Sequence, residues 1–162
     1  IIGVTPEKGL RTYHRLFPYL SRRWPEAQFH IYGSGSYIEE LGHHSNVTLH
    51  GHVSVEHAFS ETDVHVLIVE STGSWGRVIN EAGLFSIPTV SCSIGSQPEA
   101  VGKGGIILQD HHNLQSFEQA LRNCWSDRHH LGELANKHSG VTDHRRSIAI
   151  FRSLLEDIVS ET

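Results

Sequence analysis

The sequence predicts one α/β domain built on a doubly wound parallel sheet, and three observations carry that prediction. Short apolar runs (FHIY, VTLHG, VHVLIV, TVSC and GIIL) alternate with segments whose apolar residues recur at helical spacing. Strands separated by helices imply parallel pairing through right-handed crossovers, with helices on both faces. A length of 162 residues, 38% hydrophobic and 19% charged, suits a single globular domain and is short for two.

Taken in order, Ile1-Ile2-Gly3-Val4 reads as the end of a strand, and Val4-Thr5-Pro6-Glu7-Lys8-Gly9 as a loop entering a helix. Thr5 is the expected N-cap and Pro6 the first helical residue. Leu10, Tyr13, Leu16, Phe17 and Leu20 follow at helical spacing, Pro18 must kink or restart that helix, and Pro25 closes it. Phe29-His30-Ile31-Tyr32 is a strand running into Gly33-Ser34-Gly35, and a helix is expected through Ile38 and Leu41. Val47 to Gly51 is the next strand, Val55 to Ser60 a short helix, and 64–69 a buried strand. A helix over 76–85, strands at Thr89 to Cys92 and Gly105 to Leu108, and two closing helices complete the reading. Leu114, Phe117, Leu121 and Trp125 mark the first closing helix; Ile148, Phe151, Leu155 and Ile158 mark the second. The glycine turns after Tyr32, Gly51 and Ser71 fall at the carboxyl ends of strands, where sheets of this kind bind ligands.

Composition narrows the function classes. The net charge of −5 supplies no basic field for nucleic acid or an anionic membrane. No apolar run approaches the ~20 residues of a membrane-spanning helix, and no basic-then-apolar leader is present. Two cysteines, Cys92 and Cys124, do not make a secreted disulfide framework, so a reducing cytoplasm is expected. The chain holds no Met and opens on what reads as a strand end, so a fragment of a longer protein is expected.

The segment from Gly73 to Gly102, GSWGRVINEAGLFSIPTVSCSIGSQPEAVG, carries most of the chemistry. Gly73-Ser74-Trp75-Gly76 lets the backbone approach a ligand closely. The helix behind it aims unpaired N–H groups at that turn, which suits an anion such as a diphosphate. Glu81 lies about one and a half turns in, where a carboxylate can accept hydrogen bonds from hydroxyls beside the anion. A phosphate next to a polyol describes a nucleotide sugar.

This segment resembles the donor-binding region of retaining glycosyltransferases of the glycogen synthase and mannosyltransferase type, family 4, with the GT-B fold. Their pattern is a Glu, one residue, an aromatic, Gly, four residues and Glu-Ala, then a Gly-X-Pro strand and Gly-Gly-X-Pro-Glu. Here it reads Trp75-Gly76-Arg77-Val78-Ile79-Asn80-Glu81-Ala82, then Ser86-Ile87-Pro88 and Gly95-Ser96-Gln97-Pro98-Glu99. The first Glu of the pair falls on Gly73, with Glu70 nearby. The resemblance implies that residues 1–162 are the carboxyl-terminal, donor-binding half of a GT-B enzyme. It implies that Lys8, Trp75, Gly76 and Arg77 hold the donor diphosphate, Gly73 and Ser74 the donor sugar, and Glu81 the ribose. Gly33 and Gly35 would form one wall of the base site, and Val53, in Gly51-His52-Val53, would contact the base through its backbone. The reaction implied is transfer of a sugar, with retention, from a nucleotide-diphosphate donor to an acceptor glycan or lipid hydroxyl. No metal or other cofactor is required. The expected partner is an amino-terminal domain of the same chain, which would supply the acceptor site, the remaining catalytic groups and any peripheral membrane attachment.

Other readings have specific weaknesses. Gly33-Ser34-Gly35 suggests a dinucleotide turn, but Ile38 occupies the place of the third glycine. Fourteen histidines invite a metal reading, yet no H-E-x-x-H occurs, and His50 and His52 have no Cys or carboxylate placed to complete a site. Arg77 at a helix start opposes the helix dipole, so it serves either an anion or a surface ion pair. A non-catalytic nucleotide-sugar binder, suggested by Gly73, and an epimerase half-domain stand as alternatives to the transferase.

Overall fold

Leu10, Tyr13, Leu16, Phe17 and Leu20 are all buried along one stripe of helix α1, Leu10–Arg23. The computed structural model of the chain describes residues 9–35, 38–68, 76–141 and 152–153. Helix α1 opens at Leu10 behind Gly9, which is left-handed at φ 79°; the expected start at Thr5 and Pro6 lies outside the described residues. It also runs through Pro18 without restarting, at the cost of the ladder bond that a proline cannot donate. Strand β1 (Phe29–Tyr32) follows, then a 3-10 turn, Ile38–Gly42, in place of the expected α-helix. Strand β2 (Val47–Gly51) and helix α2 (Val55–Ser60) come next, the latter capped by Ser54, whose Oγ accepts from His57 N at 3.2 Å.

Strand β3 is confined to His65–Leu67, so Val64 lies outside it. Helix α3 (Arg77–Leu84), strand β4 (Thr89–Cys92), helix α4 (Gln97–Val101) and strand β5 (Gly105–Leu108) alternate as expected, with α4 added. Helix α5 (Leu114–Ser126) is capped by Asn113, whose Oδ1 accepts from Ser116 N. Within α5, Trp125 departs from the expected buried stripe: it is 53% exposed, and the Arg128 guanidinium lies over its ring at 4.6 Å.

Helix α6 (Arg128–Val141) was not legible in the sequence. Its buried positions are Gly132, Ala135 and Ser139, small residues that leave no apolar period to read. They let α6 press closely on α3: a β-carbon on Gly83 would stand 2.9 Å from the Ala135 carbonyl oxygen. The expected strand at 1–4 and the last expected helix, apart from the helical pair 152–153, lie outside the described residues.

Every recorded strand pairing is parallel, and the architecture is mixed α/β. The single expected sheet is, among the described residues, two sheets: β1 with β2, and β4 between β3 and β5. Strand β4 is buried at all four residues, as a strand covered on both faces must be. One core joins the helices to both sheets, with Tyr13, Leu16, Leu20, Ile31, Val90 and Phe117 nearly inaccessible.

Candidate functional site

Two helix starts depend on glycine, that of α1 on Gly9 and that of α3 on Gly76. Gly9 packs so closely on Ile68, the residue after β3, that a β-carbon there would stand 2.7 Å from Ile68 Cγ2. Tyr13, one turn into α1, fixes the same residue: its hydroxyl accepts from Ile68 N at 3.0 Å. The amino end of α1 is therefore anchored where β3 ends, and Lys8 is the residue immediately before it in sequence. Lys8, Gly73, Ser74 and Trp75 lie outside the described residues.

Gly76 is the N-cap of α3, left-handed at φ 70° and buried. It is held against Gln97, the first residue of α4, which is 1% exposed. The starts of α3 and α4 are thus locked together, while Asn136 of α6 holds the other end of α3. Asn136 Nδ2 donates to the carbonyls of Leu84 at 3.0 Å and Gly83 at 3.3 Å, in the last turn of α3. Gln97 and Asn136 were not singled out from sequence as site-supporting residues. The signal for Gln97 was a polar side chain just before Pro98 after a buried strand; Asn136 gave none.

Arg77 and Glu81 sit four residues apart on α3, one above the other on the same face. Arg77 is exposed and Glu81 half-buried. Among the described residues neither is engaged in a hydrogen bond or ion pair, although the spacing permits them to pair. The helix start thus presents a free cation and first-turn N–H groups, with a free carboxylate about 6 Å farther along the axis. That arrangement can hold an anion and, beside it, a donor of two hydroxyl hydrogen bonds.

Gly33 and Val53 meet at the carboxyl ends of β1 and β2, in a cleft of about 60 Å³ that Tyr32, His52 and Phe59 also line. Gly33 is left-handed and donates its N–H to the Gly51 carbonyl. Ser34 and His52 join the two turns by a 2.8 Å hydrogen bond. Gly35 lies two residues beyond Gly33 and does not line the cleft. Sites that enclose a whole ligand are roughly 300–1,000 Å³, so this cleft can take only the edge of a planar group.

Several histidines have partners within the fold. His50 hydrogen-bonds His30 at 2.8 Å and stacks on Tyr32 at 4.6 Å, and burial, with the nearby His30 and His57, holds its pKa below the ordinary histidine value. Among the described residues no three His, Cys, Asp or Glu side chains are grouped to hold a metal ion. No helix among them is long and apolar enough to cross a membrane.

Residues 1–127 match the family model described as glycosyl transferases group 1. No curated protein sequence matches the chain. Among solved structures, the chain is similar to the pneumococcal O-GlcNAc transferase GtfA in complex with UDP and GlcNAc. The identity there is 14% and the TM-score 0.76, over 98% of this chain and 35% of that one. HepE of Anabaena in complex with UDP is 19% identical, with a TM-score of 0.72 over 99% of this chain and 48% of that one. Sucrose-phosphate synthase from Thermosynechococcus elongatus is 17% identical, with a TM-score of 0.75 over 99% and 45%. At such identities the likeness is one of fold, and the chain spans between a third and a half of the length of these structures.

Proposed function

The chain belongs to the group 1 glycosyl transferases, and we propose that within that family it is the domain that holds a nucleoside-diphosphate sugar while the sugar moves to an acceptor hydroxyl. The observation that carries this reading is the α3 start: Gly76 in the left-handed region, Arg77 exposed, and Glu81 one turn on, with neither side chain in a hydrogen bond or ion pair among the described residues. Lys8 supports it by sequence position, since its neighbour Gly9 abuts Ile68, the residue after β3.

In this reading the diphosphate lies against the N–H groups of α3, with Arg77 and Lys8 as counter-charges and Glu81 accepting from the ribose hydroxyls. The Gly33–Val53 cleft takes one edge of the base, and the backbone of Gly73 and Ser74 faces the sugar. When the bond between the anomeric carbon and the diphosphate oxygen breaks, charge builds on the leaving diphosphate. Fixed dipoles and cations already aimed at that position lower the barrier without reorganising. The chain's own groups suffice for this stabilisation without a metal, and transfer proceeds with retention. The acceptor site belongs to the remainder of a longer enzyme. UDP is the first donor nucleotide to try, because two of the similar structures hold it.

Calorimetry with UDP, GDP and ADP on this domain tests the reading. Weak binding of at least one, on the order of 10–1000 μM, is expected, with no transfer from labelled donors by the domain alone. A folded domain that binds none of the three would overturn the reading. Turnover by the domain alone would overturn its placement as a donor half.

A further inference from the structure

Helix α4 buries Gln97, Ala100 and Val101, which stand at i, i+3 and i+4. That spacing is one face of a helix, and Ala100 and Val101 use it to join the core that also holds Val90, Cys92 and Leu108. Gln97 takes the first place on this face and is 1% exposed, so a carboxamide is buried where an apolar side chain would be expected. An amide taken out of water is costly unless it is hydrogen-bonded, and an apolar side chain of the same length makes no such demand. Packing alone does not call for glutamine at this place.

The polar end of Gln97 meets α3. A β-carbon on Gly76 would find Gln97 Oε1 as its nearest neighbour, at 2.9 Å, and then Ile79 Cδ1, at 3.2 Å. The N-cap of α3 is thus flanked by the carboxamide of Gln97 and by the first turn of its own helix. Gly76 has φ 70° and ψ 55°, and these angles orient the planar peptide that carries the Arg77 N–H. Glycine is also the residue whose backbone turns most freely, so its conformation must be held from outside. Gln97 is placed to hold it.

We propose that Gln97 is a positioning residue for the donor diphosphate: through Gly76 it aims the start of α3, with Arg77, at the second phosphate. The proposal rests on the donor-binding reading and deepens it. Gln97 is buried, so it acts through the backbone of Gly76 and not by touching the ligand. The preference for a nucleoside diphosphate over its monophosphate should therefore depend on Gln97. Contacts to the base should not, because the Gly33–Val53 cleft is built from other elements.

Amide exchange and nucleotide titration, on this chain and on its Gln97→Met variant, test the proposal separately. Methionine keeps the length of the side chain and removes the carboxamide. Ile79 N donates to the Gly76 carbonyl at 2.8 Å, so its exchange reports on the α3 start without any nucleotide. In the variant it is expected to quicken about tenfold or more, with residues 89–92 of β4 unchanged. Unchanged exchange at Ile79 would overturn the proposal, and so would an equal rise in β4, which marks a general loss of packing. The titration compares the tightest-binding of UDP, GDP and ADP with its own monophosphate. The chain is expected to prefer the diphosphate by about tenfold or more; Gln97→Met should lose most of that margin and bind the monophosphate within about twofold of the unaltered chain. A folded variant that keeps the margin, or that weakens both ligands equally, overturns the proposal and leaves the donor reading standing. An unaltered chain that binds neither ligand, or both alike, overturns the donor reading and this proposal with it. Gln97→Leu repeats both measurements if the methionine variant does not fold.

Discussion

The side chain of Gln97 fills the space that a β-carbon on Gly76 would need: such a carbon would stand 2.9 Å from Gln97 Oε1 and 3.3 Å from Nε2. Position 76 is therefore restricted to glycine by its left-handed backbone, and a β-carbon there would also require the end of the buried Gln97 side chain to shift. Gly76→Ala is expected to cost about 2–3 kcal/mol, roughly 4–10 °C in Tm for a domain of this size. In a Gln97→Ala background the steric part is removed and the cost should fall to about 1–2 kcal/mol. Urea unfolding of the four proteins in this cycle measures the coupling. Equal costs in both backgrounds would show that Gln97 does not set the fit.

Glu118 latches α5 to α1. Its buried carboxylate accepts from Tyr19 Oη at 2.7 Å, Arg122 Nη2 at 2.9 Å and Arg23 Nε at 3.3 Å. The Tyr19 bond, followed by the two arginines against the opposing effect of burial, holds its pKa below the usual carboxylate value. A carboxylate with a lowered folded pKa contributes stability above its unfolded pKa, about 4.3, and loses it as pH falls through the folded value. Glu118→Gln should cost about 1–3 kcal/mol at pH 7, because both arginines are half-exposed and screened. The deficit should shrink below about pH 4. Denaturant unfolding at pH 7 and at low pH checks both the size and the convergence.

His65 also loses stability as pH falls, from a different cause and in a higher pH window. It is 3% exposed, its Nδ1 bonds Thr89 Oγ1 at 3.1 Å, and Phe59 meets its ring edge-on. Burial pushes its pKa well below the ordinary histidine value. Folded His65 stays neutral while the unfolded chain takes up a proton below about pH 6.5. Stability should therefore fall as pH drops from about 6.5, by up to about 1.4 kcal/mol per pH unit from this residue. His65→Gln should flatten that slope. Parallel slopes for the two proteins between pH 7.5 and 5.5 would show that the imidazole is not the cause.

Much of this architecture was readable because strands β1, β2, β4 and β5 and the stripe of α1 are carried by buried apolar side chains. What escaped was carried by other physics. α6 is held by small residues rather than by a hydrophobic stripe, and Trp125 is satisfied by Arg128 at the surface instead of by the core. That Arg77 and Glu81 lie on a helix opened by Gly76 was legible in the sequence. Gln97 and Asn136, which pack at the two ends of that helix, act through contacts distant in sequence; the polar residue before Pro98 was the one local sign of the first, and nothing local announces the second.

The central claim is that α3 receives the diphosphate and ribose of a donor nucleotide, with Glu81 on the ribose. Calorimetry with the tightest-binding of UDP, GDP and ADP, on the domain and on its Glu81→Gln variant, tests it most directly. Circular dichroism of both proteins checks that the fold is intact. Loss of a charged acceptor to two hydroxyls should weaken binding by about 1–3 kcal/mol, roughly 5- to 150-fold. Unchanged affinity in a folded variant would contradict the claim and leave Glu81 an ordinary carboxylate on a helix surface.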